Sequence, residues 1–269
     1  IVHLCFVPLY SLRVVFMTDF SGRCPHCESN GIIGEPCSAS ICAKRGYSFI
    51  PEEDFAQLAH EGDARFDPRI GTRMDEYLIT GYLGSGGFGQ VYLTRQLPIL
   101  LKAALKVLNL GSLPEAGQKK IAEKFEIEAK ALASLSHPNV VRLLKYGVTR
   151  DRPYLVMELV KGGRNLKNAF YDRISMGHEV SPSVVFGILH QVINALDAAH
   201  RNPSQPIIHR DIKPENIMLH AVPENPNFVK VLDFGLAKWV PGSNSVPSLD
   251  GEMIFGKTRY MPPEQLRGK

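Results

Sequence analysis

Four cysteines lie within 19 residues near the start of this 269-residue chain, in two pairs whose spacing could bind a metal ion. They are Cys24 and Cys27, with C-x2-C spacing, and Cys37 and Cys42, with C-x4-C spacing. Such spacing lets thiolates reach one tetrahedral zinc ion, and a segment this short needs a metal to hold it together. His26 suits the site less, because its neighbour Cys27 would direct it away, and Cys5 stands apart. We expect a structural zinc ribbon, with a disulfide pair or unligated thiols as alternatives.

A glycine-rich turn between two predicted strands is the next segment that could do chemistry. Its residues are Gly84, Ser85, Gly86, Gly87, Phe88 and Gly89. Backbone N–H groups in such a turn can approach phosphates without interference from a Cβ atom. A dinucleotide-binding fold would continue into a helix, whereas this turn leads into a β-branched and aromatic strand from Val91. The dinucleotide interpretation is therefore excluded.

Lys106 lies in an apolar strand predicted over 103–108, where burying its charge requires a partner. An edge-strand lysine that reaches water is the alternative. The following helix, predicted over Ala116–Leu135, places Phe125, Glu128 and Leu132 on one face. We expect Glu128 to face Lys106.

Two further motifs complete an ordered set. The first is H-R-D-I-K-P-E-N at 209–216, and the second is D-F-G at 233–235, followed by a P-E pair at 263–264. With the glycine loop, the strand lysine and the helix glutamate, they make the chain resemble the eukaryotic-like (bacterial-type) serine/threonine protein kinases over residues 74–269. The lysine two positions after Asp211 is similar to the serine/threonine branch of the family rather than to the tyrosine branch.

The resemblance implies ATP- and magnesium-dependent phosphorylation of serine or threonine on protein substrates, in signalling. It implies a catalytic set of Asp211, Lys213, Lys106 and Glu128. Asp211 would orient the acceptor hydroxyl and accept its proton, and Lys213 would offset the developing charge. Asn216 and Asp233 would hold magnesium, and Lys106 would contact the α- and β-phosphates.

The resemblance also implies a nucleotide site between the glycine loop and the strand that follows the helix. The expected ATP-binding residues are Leu83, Gly84, Ser85, Gly86, Gly87, Phe88, Gly89, Val91, Ala104, Lys106, Glu158, Val160 and Met218. Met157 would be the gatekeeper, and the backbones of Glu158 and Val160 would bind the base. The apolar members would equally serve as ordinary core residues.

The expected fold class is α+β: a bilobal kinase-like fold with a five-stranded first lobe and the first part of a helical second lobe. The expected domains are an N-terminal extension at 1–18, a zinc ribbon with four cysteine ligands at 19–50, a linker at 51–73, the first lobe at 74–162 and the partial second lobe at 163–269. The expected strands are 77–83, 91–94, 103–108, 140–148 and 154–160. Residues 1–17 are apolar but shorter than a membrane span, and Met17 is the preferred translation start.

Two departures from the family pattern bear on activity. Lys257 stands where the family usually has a threonine, and Pro262 replaces an alanine. The sequence also ends at Lys269, where the family continues with more helices, so we expect a fragment or truncated product. Apolar surface is then expected on the helix Pro182–Arg201 and at 209–216.

Arg210 indicates a route of regulation. A buried arginine beside Asp211 would require an anion, which in the family is often a phosphorylated residue of the activation segment. The candidates in this chain are Ser243, Ser245, Ser248 and Thr258. We expect the protein to phosphorylate this segment itself.

Composition leaves two further functional hypotheses. The chain could be a non-catalytic, nucleotide-binding kinase-like scaffold, or the zinc ribbon could be a module that docks protein or nucleic acid. A net charge of +4 without a long basic run argues against nucleic acid. No apolar run reaches transmembrane length, and ATP-dependent chemistry favours a reducing cytoplasm, where disulfides are disfavoured.

Overall fold

The computed structural model describes the chain in nine stretches, which divide into two compact units between Arg73 and Met74. The described residues are 20–58, 67–86, 89–108, 115–149, 152–203, 206–234, 246–247, 253–254 and 258–266. The expected N-terminal extension and Cys5 lie outside them. Among the described helices, none is both long enough and apolar enough to cross a membrane.

The first unit is a small antiparallel sheet with two short helices. Its elements are β1 Ser21–Arg23, β2 Asn30–Ile32, α1 Ser40–Arg45, β3 Ile50–Pro51 and α2 Glu52–Leu58, with the strand order β2-β1-β3. Helix α1 ends at Gly46, whose φ of 73° lies in the left-handed region that favours glycine. Arg23 of β1 holds α2, because it pairs with Glu52 at 2.9 Å and lies over the ring of Phe55.

The predicted boundary between ribbon and linker, at residues 50 and 51, falls inside β3. Helix α2 follows at once and packs on β1 and β3. The chain also returns to the unit after residues 59–66, which lie outside the described part, because the Ser48 N–H donates to the Gly71 carbonyl at 2.7 Å. The first unit therefore extends to Arg73.

The second unit begins within the first strand of a six-stranded sheet, at Met74, and also contains a long helix. The strands are β4 Arg73–Met74, β5 Tyr77–Gly86, β6 Gly89–Gln96, β7 Leu101–Leu108, β8 Leu143–Thr149 and β9 Arg152–Glu158, in the order β4-β5-β6-β7-β9-β8; the helix is α3 Glu115–Ala133. From β5 onward, neighbouring strands are antiparallel. All five predicted strands are present, and β4 adds a short sixth. Helix α3 packs on β8 and β9 through a cluster that includes Phe125, Ala129 and Leu155.

The second lobe consists of helices around a small sheet. Its elements are β10 Arg164–Asn165, α4 Leu166–Ser175, α5 Pro182–His200, a 3₁₀ helix Pro214–Asn216, β11 Ile217–Val222 and β12 Asn225–Val231, followed by β13 Val246–Pro247, β14 Met253–Ile254, a second 3₁₀ helix Thr258–Tyr260 and α6 Pro263–Leu266. Ser181 caps α5 by accepting the Val184 N–H, and Pro182 occupies the first turn. The buried face of α5 packs on β12, and this core supports the loop at 209–216, which carries the residues predicted to be catalytic and which we call the catalytic loop.

The opposite face of α5 carries exposed apolar side chains, as expected from the sequence. Phe186 and Ile193 are 70% and 60% exposed, and Leu189 is also exposed. Ile208, next to the catalytic loop, is 54% exposed. Within the described residues, the core that supports the loop therefore lies on one side of α5.

Candidate active site and cysteine metal site

The catalytic loop is anchored by His209, which lies between α5 and β11. Burial lowers the pKa of His209 below its ordinary value, so the ring is neutral at pH 7. With its proton on Nε2, the ring donates to the Leu232 carbonyl at 2.7 Å and accepts the Asp211 N–H at Nδ1 at 3.3 Å. Its ring also packs against Phe234, with 4.6 Å between centroids. One neutral side chain thus connects the loop to the segment that holds Asp233.

The Asp211 carboxylate is held by two side chains of its own loop. Lys213 forms an ion pair with Oδ2, and Asn216 Nδ2 donates to the same oxygen at 2.9 Å. Asn216 Nδ2 also donates to the Asp211 backbone carbonyl at 2.8 Å. The 3₁₀ helix Pro214–Asn216 turns the chain back so that positions 211, 213 and 216 converge. The structure therefore brings together three of the residues that the sequence predicted to be catalytic or metal-binding.

Lys106 and Asp233 form the second half of the site. Lys106 is buried in β7, and its Nζ lies 2.7 Å from Asp233 Oδ1. Burial disfavours the charged form of Asp233, but the attraction of Lys106 outweighs this effect and lowers the pKa of the carboxyl. The Leu232 N–H donates to the Asn216 carbonyl at 2.9 Å, which places Asp233 beside the catalytic loop. The two predicted magnesium ligands thus come from adjacent backbone segments.

The predicted contact between Lys106 and Glu128 stays a prediction. The Glu128 side chain lies outside the part of the chain that the structure describes. The register of α3 places position 128 on the face that carries the buried Phe125 and Leu132.

The glycine loop is a hairpin between β5 and β6. Gly84 pairs with Val91, Ser85 with Gln90 and Gly86 with Gly89, while Gly87 and Phe88 lie outside the described residues. Gly89 has φ of 149°, and a Cβ atom there would lie 1.9 Å from the Val107 carbonyl oxygen. Only glycine allows β6 to run this close to β7 at the loop.

The predicted adenine-site residues are carried by neighbouring strands. Ala104 on β7 pairs with Met157 on β9, and Val91 on β6 pairs with Lys106. Across the lobes, the α-carbon of Gly163 lies against Val160 and Met218, so that a Cβ there would be 2.6 Å and 2.8 Å from their side chains. Leu83 is exposed at the loop. Sheet pairing therefore positions Val91, Ala104 and Met157, and packing at Gly163 positions Val160 and Met218.

Arg210 differs from the sequence prediction. It is exposed rather than buried, and its φ of 63° is unusual for a residue other than glycine. The positive φ turns the chain between His209 and Asp211, which both point inward. The candidate phosphorylation sites Ser243, Ser245 and Ser248, the Thr258 side chain and Lys257 lie outside the described residues.

Sequence reasoning missed Lys230, whose Nζ lies 2.6 Å from Oε1 of Glu158. Glu158 was predicted only for its backbone. The available signal was a lysine at the centre of the apolar run Val229–Leu232, the same argument that identified Lys106.

The four predicted cysteine ligands converge in the first unit. Their sulfur atoms all lie within 4.8 Å of one another, with 3.8 Å between Cys24 and Cys42 and 3.5 Å between Cys27 and Cys37. A tetrahedral zinc site with Zn–S bonds of about 2.3 Å has sulfur atoms about 3.8 Å apart. Disulfide sulfurs are about 2.05 Å apart, and all four thiols are free in the structure.

Each loop of the cysteine site is a tight turn closed by backbone hydrogen bonds. The Glu28 N–H donates to the Cys24 carbonyl, and the Tyr47 N–H donates to the Cys42 carbonyl. The His26 ring stacks on Tyr47 at 3.5 Å, and its Nε2 lies 3.1 Å from the Ile70 carbonyl oxygen. His26 thus supports the fold of the site, and the four thiols make up the donor set.

The thiols differ in environment. Hydrogen bonding by the Ser29 hydroxyl lowers the pKa of the exposed Cys27 thiol to about 6, while burial raises the pKa of Cys42 to about 12. Cys24, Cys37 and Cys42 are buried. Three buried thiols around one exposed thiol form a closed site.

Comparison with known proteins points to one family. The model of the protein kinase domain matches residues 77–269. Serine/threonine-protein kinase Pkn1 of Myxococcus xanthus is 37% identical over 205 residues, which cover 76% of this chain and 27% of Pkn1. Serine/threonine-protein kinase PrkC of Bacillus subtilis is 32% identical over 200 residues, which cover 74% of this chain and 28% of PrkC. This chain therefore spans about a quarter of the length of these two relatives.

A solved structure gives the same match. The crystal structure of the PknI kinase domain of Mycobacterium tuberculosis aligns with a TM-score of 0.51 at 27% sequence identity. The alignment covers 63% of this chain and 63% of that chain.

Proposed function

This chain belongs to the protein kinase family and has its bilobal α+β fold, and from that premise we propose that it transfers the terminal phosphate of ATP to serine or threonine on protein substrates. The observation that carries the proposal is the convergence of Asp211, Lys213 and Asn216 beside the Lys106–Asp233 ion pair. Phosphoryl transfer requires this kind of site, because positioning and charge neutralisation dominate its catalysis.

The loop residues have complementary roles in the proposal. Asp211 orients the acceptor hydroxyl and accepts its proton, since its carboxylate is fixed by Asn216 and its backbone by His209. Lys213, already paired with Asp211, offsets the charge that develops on the transferred phosphate. The neighbouring glycine loop contributes backbone N–H groups for the remaining phosphate oxygens.

The donor set of the second half fits a magnesium ion with ATP. Asp233 offers a carboxylate, and Asn216 offers Oδ1, because its Nδ2 is occupied by Asp211. Oxygen ligands of these two kinds are the ones that magnesium prefers. Magnesium, when bound, would neutralise charge on the phosphates, and Lys106, which pairs with Asp233 in this structure, would bind the α- and β-phosphates.

Transfer of labelled phosphate from ATP to a generic protein substrate tests this function. We expect phosphoserine and phosphothreonine with the wild-type chain and a loss of about 10²- to 10⁴-fold in Asp211→Asn. Nucleotide binding without transfer would favour the non-catalytic scaffold instead. Equal transfer by the wild type and Asp211→Asn would contradict the assigned role of Asp211.

We also propose that the first unit binds a structural zinc ion through Cys24, Cys27, Cys37 and Cys42. Sulfur separations close to a tetrahedral edge support it, and an all-thiolate set suits zinc. Four protein ligands leave no open coordination position, so the site would be structural, with docking of a protein partner as its further use. ATP-dependent transfer and reduced thiols together favour the cytoplasm.

Elemental analysis of the purified full chain tests the zinc site. We expect one zinc per chain and its loss in a Cys24→Ser, Cys42→Ser double variant, with a Cys5→Ser variant as the matched control. Alkylation and mass spectrometry that showed disulfides in place of zinc would support the alternative.

A further inference from the structure

The side chain of Glu158 takes part in a contact that its predicted backbone role does not require. Its Oε1 accepts the backbone N–H of Arg142 at 2.9 Å and pairs with Lys230 Nζ at 2.6 Å. Lys230 Nζ also lies 3.4 Å from the Val140 carbonyl oxygen. We call Glu158, Lys230 and the Arg142 N–H the hinge clamp.

The hinge clamp joins two strands that belong to different lobes. Glu158 is the last residue of β9, where the chain leaves the six-stranded sheet. Lys230 lies on β12, paired with Met218 of β11 and three residues before Asp233. The clamp therefore connects the strand that ends at the adenine side of the nucleotide site to the strand that leads to the predicted magnesium ligand.

Backbone hydrogen bonds hold both strands of the clamp, β9 and β12, against the same segment at 140–142. The Glu158 N–H donates to the Arg142 carbonyl at 3.0 Å, and the Val141 N–H donates to the Val231 carbonyl at 3.0 Å. The segment at 140–142 thus lies between β9 and β12 and bonds to both. The ion pair is the contact within the clamp that bridges β9 and β12 directly.

The environment of the Glu158–Lys230 ion pair should make it more stabilising than an ion pair on the surface. The Lys230 side chain is only 15% exposed and that of Glu158 32% exposed, so water screens the pair less than it screens an exposed pair. Both contacts of Glu158 fall on one oxygen, and charge-assisted hydrogen bonds of this length are the stronger kind. Removing either charge would leave the other partly buried and without this ionic partner, which is unfavourable.

We propose that Glu158 and Lys230 are positioning residues that set the spacing between the adenine-binding strand and Asp233. The base-binding strand β9 and the proposed magnesium ligand Asp233 are then already at the separation that a bound nucleotide requires. Loosening the clamp lowers the affinity for nucleotide and for magnesium together. Without the clamp, β9 and Asp233 are no longer held at the distance at which one nucleotide–magnesium complex can contact both. This inference rests on the proposed kinase function.

The test measures binding of a non-hydrolysable ATP analogue to the full chain by calorimetry, with and without Mg²⁺. We expect Glu158→Gln and Lys230→Met each to weaken binding of the magnesium complex about tenfold. The double variant is expected to bind no more weakly than the weaker single variant, because both remove one interaction. Lys230→Arg keeps the charge and is expected to lose less affinity than Lys230→Met.

Lys145→Met is the matched control. Lys145 of β8 pairs with Glu76 at 2.5 Å and with Asp75 at 3.1 Å, both in the turn between β4 and β5, so these ion pairs do not reach β12. Its loss should lower the melting temperature without changing the Mg²⁺-dependent gain in affinity. A merely structural hinge clamp would behave in the same way as this control.

Two results would overturn the hinge clamp alone: unchanged analogue affinity in both single variants, or effects that simply add in the double variant. A wild-type chain that bound no analogue would instead contradict the proposed function and, with it, the clamp that depends on it.

Discussion

The cysteine cluster of the first unit and the catalytic-loop cluster of the second unit are held in place by different means. In the first unit, Cys24, Cys37 and Cys42 are themselves buried and form the local core with Tyr47 and Phe49. In the second unit, the catalytic loop rests on an apolar core of side chains that take no part in the chemistry. Three of the four proposed zinc ligands thus lie within the core of the first unit, whereas the proposed kinase-site ligands are attached to a separate core in the second.

This difference predicts how each region responds to the loss of a ligand. Where the ligands make up the core, metal binding and folding are one equilibrium. Where a separate core positions the ligands, the site exists before its ligand binds. Removing a ligand should therefore unfold the first unit, whereas in the second unit it should abolish activity and leave the fold.

Removal of the metal from the first unit should have the largest effect. A zinc-selective chelator, or a Cys42→Ser variant, should remove the hydrogen-exchange protection of residues 20–58. Structural zinc contributes about 10–16 kcal/mol in small domains, more than an apolar core of this size supplies. Exchange measured by mass spectrometry on the full chain should show the protection of β6 and β7 unchanged.

Cys5→Ser is the control for this experiment, because Cys5 lies outside the C-x2-C and C-x4-C pairs of the sequence. Full protection of residues 20–58 after the metal is removed would show that the apolar contacts of Tyr47 and Phe49 suffice. The contrast between the two units would then disappear.

Asp233→Asn should show the opposite response in the second unit. We expect phosphate transfer to fall by about two to three orders of magnitude, because the carboxylate that would hold magnesium is lost. The fold should persist, since the asparagine Oδ1 can still accept the hydrogen bond from Lys106. Transfer rates over a range of Mg²⁺ concentrations, with exchange protection of β7 and α5, measure both effects. Loss of that protection would mean that the fold of the second unit also depends on a ligand residue, as expected for the cysteine site.

Gln191→Ala tests the independent scaffold of the second unit. Gln191 Oε1 accepts from Asn139 Nδ2 and the Val229 N–H, and its Nε2 donates to the Asn227 and Gly187 carbonyls. Loss of these contacts beside buried backbone should lower the free energy of unfolding by about 2–3 kcal/mol. Urea unfolding followed by far-UV circular dichroism would measure it.

The control lies on the same helix. Asn194 is exposed and contacts His190, so Asn194→Ala should change the free energy of unfolding by less than about 0.5 kcal/mol. An equal effect of both variants would mean that Gln191 does not support β12.

The elements and motifs of the catalytic site were predictable because their signals are local. Glycines mark the hairpin at Gly84–Gly89, apolar alternation marks the strands, and fixed spacing brings Asp211 and Asn216 onto one loop. The cysteine cluster was predictable for the same reason, since each cysteine pair lies within a few residues and the two pairs are close in sequence. Such features depend on residues a few positions apart.

Contacts between distant residues were not predictable. Lys230 and Glu158 are 72 positions apart, and Gln191 bonds to Asn139 across 52 positions. A polar side chain carries no pattern that identifies such a partner. Polar composition similarly suggested a linker and did not indicate that α2 packs on β1, and the motif did not reveal that Arg210 is exposed. These cases depend on tertiary packing.

The smallest predicted effect is a loss of stability of the second unit in mild acid. Burial lowers the pKa of His209 in the folded protein, whereas the unfolded chain titrates near 6.5. Above pH 6.5 both states are neutral and the stability is complete. As the pH falls below 6.5, the unfolded chain binds the proton first, so the free energy of unfolding should fall by up to about 1.4 kcal/mol per pH unit.

Urea unfolding at pH 7.0, 6.0 and 5.0 would measure this loss. Burial also lowers the pKa of His137, so His137→Gln separates the two contributions and should leave most of the loss in place. A pH-independent stability over this range would mean that His209 binds a proton while folded. Its Nδ1 could then no longer accept the Asp211 N–H, and the preformed catalytic loop that distinguishes this unit from the cysteine unit would depend on pH.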